Sequence, residues 1–203
     1  VIGSEAVTST SEGRSYGIEF LAQKKLNKNF YGILAYTWVR SEFKDKNEIY
    51  IPSAWDNKHI ISLTGGFKFK KDWELGLKFR FSGGSPYTPY DTLNSSYSYI
   101  WDVNSFGVFD YNQLNGLRLK SNHGLDIRID KKWYWKKVTL NIYLDIQNLY
   151  NFQTETPPSL IAIRNTDGSL QTITGSNPER YNLRYIDNTA GTVLPSIGLQ
   201  FEF

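Results

Sequence analysis

Residues 73–82 alternate strictly between apolar and polar positions. Trp73, Leu75, Leu77, Phe79 and Phe81 fall on one side of an extended strand, and Glu74, Gly76, Lys78, Arg80 and Ser82 on the other. The period of two returns over 138–148, where Val138, Leu140, Ile142, Leu144 and Ile146 oppose Thr139, Asn141, Tyr143, Asp145 and Gln147. It returns again where Leu125, Ile127 and Ile129 oppose Asp126, Arg128 and Asp130. The same alternation predicts seven strands, at 14–25, 31–42, 58–69, 73–82, 121–133, 138–148 and 193–203. Each has about the ten residues that a tilted strand needs to cross a bilayer.

The last stretch sets Ile197, Leu199, Phe201 and Phe203 on one side. Such a terminal aromatic ridge is expected of an outer-membrane barrel, whose lipid-facing side needs no further cover; an edge strand docked on a soluble core is the other reading. Lys78, Arg80 and Arg128 set the orientation of the faces, because each would cost about 2–4 kcal/mol on a lipid face at the bilayer midplane. They are expected to look into a polar lumen, with the apolar faces toward lipid. A soluble sandwich with its charged face in water is the main competitor. The connections argue against it. Short turns at 26–30, 70–72 and 134–137 alternate with long segments at 43–57, 83–120 and 152–192. Two loops of that length are uncommon in a compact soluble domain, whereas short periplasmic turns and long extracellular loops are normal in an outer-membrane barrel. The expected fold class is therefore all-β, an antiparallel transmembrane β-barrel in the cell outer membrane, with the C-terminus periplasmic.

Composition changes this picture only in part. No run approaches the ~18 consecutive apolar residues of a membrane helix, and the mean hydropathy is negative, at −0.45. The 14 Tyr and 6 Trp suit strands and interfacial girdles. Without Cys there is no disulfide, thiolate metal site or cysteine nucleophile. With neither an initiator Met nor a signal peptide, the chain reads as a processed form or a piece of something longer. Seven is an odd number of strands, and an open sheet would leave two edges that lipid cannot satisfy, so the chain is expected to be the terminal wall of a larger barrel. Residues 1–13 then form the end of an extracellular loop. An eighth strand from residues 1–11 is the alternative, but its sequence reads as a polar loop.

A resemblance sharpens the expectation. YGIEFLAQKKLNKNFYGILAYTWVRSEF, WDNKHIISLTGGFKF, SGGSPYTPYD, LDIRIDKKW, LNIYLDIQNLYN and LPSIGLQFEF follow one another in this order. Together they resemble the C-terminal part of a TonB-dependent outer-membrane receptor of the Bacteroidetes type. The segment ending in Gln147, Asn148, Leu149, Tyr150 and Asn151 and the terminal strand carry the likeness most specifically. The resemblance implies a barrel of 22 strands, of which these would be the last seven, and a plug domain that this sequence does not contain. It also implies energised import of a scarce nutrient: an iron chelate, a corrinoid, an oligosaccharide or a peptide. Implied partners are the remaining strands and plug, an inner-membrane energy transducer acting through the N-terminal part, outer-membrane lipid and the barrel-assembly machinery, for which Ile197, Leu199, Phe201 and Phe203 would form the recognition signal. Some relatives carry a surface lipoprotein as a lid. A passive, porin-like or structural barrel is the alternative function.

Ligand capture is expected in 83–120, where Tyr87, Tyr90, Tyr97, Tyr99, Trp101, Phe106, Phe109 and Tyr111 offer rigid apolar area with polar tips. The same aromatics can instead pack the loops on one another or form the outer girdle. Within 152–192, residues 159–164 and 169–174 flank Asp167 and Gly168, a dipeptide suited to a tight hairpin. Catalysis is not expected. His59 and His123 are the only histidines, each in a lumen or rim position expected to pair with Asp or Asn, and no G-x-S-x-G, HExxH or phosphate loop occurs. No metal and no cofactor is expected. Lys24, Lys25 and Lys28, then Lys68, Lys70 and Lys71, then Lys131, Lys132, Lys136 and Lys137 cluster at the short turns, and read as solvated positions near anionic headgroups. A net charge of +3 spread over separate turns excludes a nucleic-acid recognition element.

Overall fold

The computed structural model describes residues 10–203. Most of the expected loop end at 1–13, and the possible strand at 1–11, lie outside the described residues. In chain order the elements are β1 (Gly13–Asn27), β2 (Phe30–Lys44), β3 (Tyr50–Pro52), β4 (Lys58–Lys68), β5 (Trp73–Ser82), β6 (Pro86–Tyr87), α1 (Thr92–Ser96), α2 (Ser98–Asn104), β7 (Leu117–Arg118), β8 (Asn122–Tyr134), β9 (Thr139–Gln147), β10 (Thr154–Ala162), β11 (Leu183–Ala190) and β12 (Leu194–Glu202). The fold is all-β and antiparallel. The seven strands expected from alternation form one sheet in chain order, β1-β2-β4-β5-β8-β9-β12, with β3 added beside the end of β2. Among the described residues β1 and β12 do not pair with each other, so the sheet is open at both edges.

Register turns the sequence pattern into two faces. The row Phe30, Phe67, Leu75, Ile129, Leu144, Ile197 crosses six strands through direct partners. One residue away, the row Tyr31, Gly66, Gly76, Arg128, Asp145, Ser196 crosses the same strands on the opposite face. A shift of one residue at any strand would mix these rows, so the alternation itself fixes the pairing. The charged face is internally paired. Arg80 holds Asp126 at 2.9 Å, and Arg128 holds Asp130 at 2.8 Å while its guanidinium stacks 3.7 Å from the Tyr143 ring centroid. Tyr31 donates to Glu74 at 2.6 Å. Its ring lies where a Cβ on Gly66 would be, 2.4 Å from the hydroxyl, and the Tyr143 ring covers Gly198 in the same way.

The apolar face has no cover. Ile18, Phe20, Leu63, Leu77, Ile197, Leu199 and Phe201 all stay exposed. Among the described residues only Trp101 and Leu160 are buried hydrophobic side chains, and both lie in the long connections. All three long connections leave from one end of the sheet and all three short turns from the other, as the strand order requires.

The hairpin expected within 152–192 is corrected in part. The Asp167–Gly168 turn forms, with Gly168 at φ +87 and Ser169 donating to Asp167. The long pairing, however, joins β10 to β11, and 169–174 contributes only short bridges such as Arg164 to Leu170 and Thr172 to Tyr181. Ile163 and Gln171 spend their backbone groups on Asn182 as well as on each other, so 180–182 closes a third side of the tip.

Candidate functional site

The long connections fold into one body above the sheet end. Asp91 caps α1 by accepting from the Asn94 amide at 2.9 Å, a local hydrogen bond that starts a helix inside a segment otherwise rich in turn formers. Ser95, fully buried, accepts from the Val108 amide at 2.9 Å and so ties the helix to the return of the same loop. The other long loop is stitched on through its backbone: Tyr181 donates to the Ser96 carbonyl at 2.7 Å and Ser98 to that of Glu179 at 3.1 Å. Gly107 has no room for a side chain, since a Cβ there would sit 2.8 Å from the Tyr90 ring and 2.9 Å from Leu160. The Tyr181 hydroxyl reaches Asp102 at 3.1 Å, and burial together with that carboxylate pushes its pKa up.

An ionic hub anchors this body to the sheet. Asp56, completely buried, accepts from the Ser41 amide at 2.9 Å, pairs with Arg118 and lies 3.2 Å from Arg40 Nε. The Arg40 contact is an ion pair without hydrogen-bond alignment. Arg40 also reaches Glu42 at 2.8 Å, and Arg14 holds the same carboxylate at 2.7 Å. Arg118 further donates to the backbone carbonyls of Asp56 and Gly84. The loop at 43–57, the two ends of 83–120 and the tops of β1 and β2 are therefore joined through two carboxylates, Asp56 and Glu42, which Arg40 bridges.

The eight aromatics expected to capture ligand separate into groups. Tyr87, Tyr90 and Phe109 come together in a cleft of about 440 Å³ walled also by Pro157, Pro158 and Tyr185. Tyr90 and Phe109 stack at 4.7 Å and 12°, Tyr185 lies 6.3 Å from Tyr90, and Tyr111 abuts Phe109 edge-on at 6.4 Å. Burial, then the neighbouring phenols of Tyr87 and Tyr90, raise the Tyr185 pKa. The cleft lining includes one carboxylate, Asp187, and no Lys or Arg. Tyr97 and Tyr99 stack on each other at 5.4 Å, away from this group, and Phe106 stands exposed. Trp101 is 7% exposed, so its main role is packing in the loop core; with Leu160 it floors a second cleft of about 680 Å³ that also presents Asp102, Arg164 and Arg184.

Tyr185, Pro157 and Pro158 were missed by sequence reasoning because they come from the other long loop. Only the β10–β11 pairing brings them across, and no local pattern announces it. The histidines depart from expectation in their partners. His59 Nδ1 lies 3.0 Å from the Tyr36 hydroxyl, and His123 Nδ1 lies 2.6 Å from that of Tyr150 with its ring 3.9 Å from Phe152. Both sit at the rim on the apolar face, where a phenol supplies the hydrogen bond without bringing a charge. Ile197, Leu199 and Phe201 share that face on the edge strand β12 and are exposed, as is Phe203 just beyond the strand. Among the described residues no group of His, Asp and Glu is placed to hold a metal ion. Compared with models of known protein families and with curated protein sequences, the chain gives no match.

Proposed function

We propose that this chain is the terminal wall of an outer-membrane β-barrel of the TonB-dependent receptor type, importing a scarce nutrient with energy drawn from the inner membrane. One observation carries the reading. A continuous apolar face spanning seven strands is left bare, while the opposite face is laced with ion pairs and the buried hydrophobic side chains are confined to the connections. Water would penalise such a face over its whole area, whereas lipid tails solvate it. Strand direction adds support. β1 and β12 run the same way, so antiparallel closure requires an odd number of further strands, and a barrel of 22 meets this condition. In this reading the aromatic cleft between the long loops contacts the nutrient on the outside, and the plug and gate belong to the rest of the receptor.

The test uses the native polypeptide that carries this segment. It should migrate faster in detergent gels before heating than after, have a denatured mass well above 23.4 kDa, and support uptake that a protonophore abolishes. Uptake indifferent to the protonophore would refute the energised transporter in favour of a passive barrel. Absence from the outer-membrane fraction would refute the barrel itself.

A further inference from the structure

The short-turn end of the sheet carries ten lysines that the proposed transport does not use. Lys24, Lys25, Lys28, Lys68, Lys70, Lys71, Lys136 and Lys137 are exposed, and Lys131 and Lys132 are half-buried. None of the ten takes part in an ion pair among the described residues; the ion pairs lie on the charged face or at the long-loop end. The carboxylates nearest in the fold do not neutralise them. Asp130 is paired with Arg128, and the other three acids at this end, Glu74, Glu202 and Asp72, form no ion pair with a lysine among the described residues and are outnumbered by the ten; Glu74 and Glu202 bond the neutral Tyr31 and Gln200.

These charges sit beside an aromatic ring on the same end. Phe69, Trp73, Trp133 and Trp135 are all exposed. Lys131 belongs to the apolar face by register, opposite Trp73 and Ile142. Its ammonium lies 5.8 Å from the Trp73 ring and 5.2 Å from that of Trp133, and donates to the Lys71 carbonyl. A stem on apolar surface and a head turned to the turns is how a lysine behaves at a membrane boundary. The lysines are also spread over three turns from β1 to β9, an arc of about 24 Å at ~4.8 Å per strand. A protein ligand would concentrate its charge at one spot; an annulus of headgroups matches an arc.

We propose that this end is a binding site for anionic phospholipid: the unpaired lysines form a cationic collar that recruits phosphodiester headgroups bearing net negative charge, such as phosphatidylglycerol, to the leaflet at the short turns. The proposal rests on the barrel reading above. It adds a lipid specificity that the barrel reading does not require, because an apolar band is satisfied equally by zwitterionic lipid.

The experiment takes the full-length protein that carries this chain, purified in detergent containing equal phosphatidylglycerol and phosphatidylethanolamine, and counts retained lipid by native mass spectrometry. Phosphatidylglycerol should be enriched by about fivefold per occupied site, the factor for one lysine at an anionic surface. Raised salt should erode the enrichment. A variant combining Lys70→Gln, Lys71→Gln, Lys136→Gln and Lys137→Gln should lose most of it, while Lys46→Gln with Lys120→Gln, at the long-loop end, should keep it. Equal retention of the two lipids by the wild type, or enrichment that survives the fourfold variant, overturns the collar. So does co-purification of a periplasmic protein that the fourfold variant loses with no change in lipid. Heat-modifiable migration measured on the same samples separates the two readings. A folded barrel without lipid preference sinks the collar alone, and a wild type that never shows a heat-modifiable form sinks the spanning sheet.

Discussion

Replacing Leu77 by arginine places a full charge at the centre of the apolar face. Leu77 is 44% exposed and lies midway between Trp73 and Phe81 on β5. In the proposed barrel, four residues to either side, at ~3.4 Å per residue and a tilt of ~40°, put it about 10 Å from each edge of the apolar band, hence near the bilayer midplane. There an arginine costs about 2–4 kcal/mol, and the cost falls to about 0–1 kcal/mol near the interfaces. The native Lys131, in the same row as Trp73, already marks the interface as tolerant. Phe81→Arg should therefore cost much less than Leu77→Arg. Ser196→Arg, on the charged face opposite Asp145, should stay within about 0.5 kcal/mol of wild type. The assay is urea-driven equilibrium between the unfolded and vesicle-inserted states of the protein carrying this chain, followed by tryptophan fluorescence. Leu77→Arg within about 0.5 kcal/mol of wild type would refute a lipid-facing surface, since a water-facing leucine tolerates that exchange. Equal penalties at Leu77 and Phe81 would refute it as well, because burial under another protein has no depth profile.

Gly198→Val should destabilise by about 1–3 kcal/mol, because the Tyr143 ring occupies the space of the new side chain, and the penalty should shrink in a Tyr143→Ala background when the two are compared in a double-mutant cycle. Asp56→Ala strands Arg40 and Arg118; since both guanidiniums keep some water, the loss should fall at or below the low end of the ~3–5 kcal/mol range for breaking a buried pair, read as faster proteolysis of 43–57 and 83–120 while the strands stay protected. Tyr90→Ala with Tyr185→Ala should weaken nutrient affinity about tenfold or more with the loops still folded, whereas Trp101→Ala should open the loops themselves; affinity unchanged by the first pair removes the cleft from recognition. At the hairpin tip, Ser169 holds the Asp167 pKa below its ordinary 3.8, so the carboxylate stabilises the turn above that pH and ceases to as pH falls through the lowered value; amide protection at Gly168 and Ser169, taken relative to the unstructured-peptide exchange rate at each pH, should fall only there.

Much of the sheet is legible because a strand with one apolar and one charged face must alternate, and the period matches β5 to the residue. The short β3, β6 and β7 carry too few residues for a period to register, and β3 exists only because β2 runs on past the alternating stretch to Lys44. The helix at 92–96 has a readable cue in Asp91, but at five residues it is too short for a helical period to register within the long connection. The candidate site was half legible. Tyr87, Tyr90 and Phe109 stand in one segment, while Tyr185 and the Asp56–Arg118 pair depend on contacts across 62 or more residues that no local pattern encodes.

The placement of Trp101 and Leu160 as the buried hydrophobics means that this molecule has two interiors governed by different tolerances. In the proposed barrel, fluid lipid chains would close around whatever shape Leu77, Ile127 or Ile197 presents, so exchange among Leu, Ile, Val and Phe there would leave no void to penalise. In the loops, Leu160 packs against Gly107 with no room for a Cβ, and the addition of a single methylene on that side must be absorbed by the neighbouring protein. Tolerance to a change in apolar volume should thus be widest on the bare face of the sheet and narrowest around Trp101 and Leu160, the two hydrophobic side chains buried among the described residues.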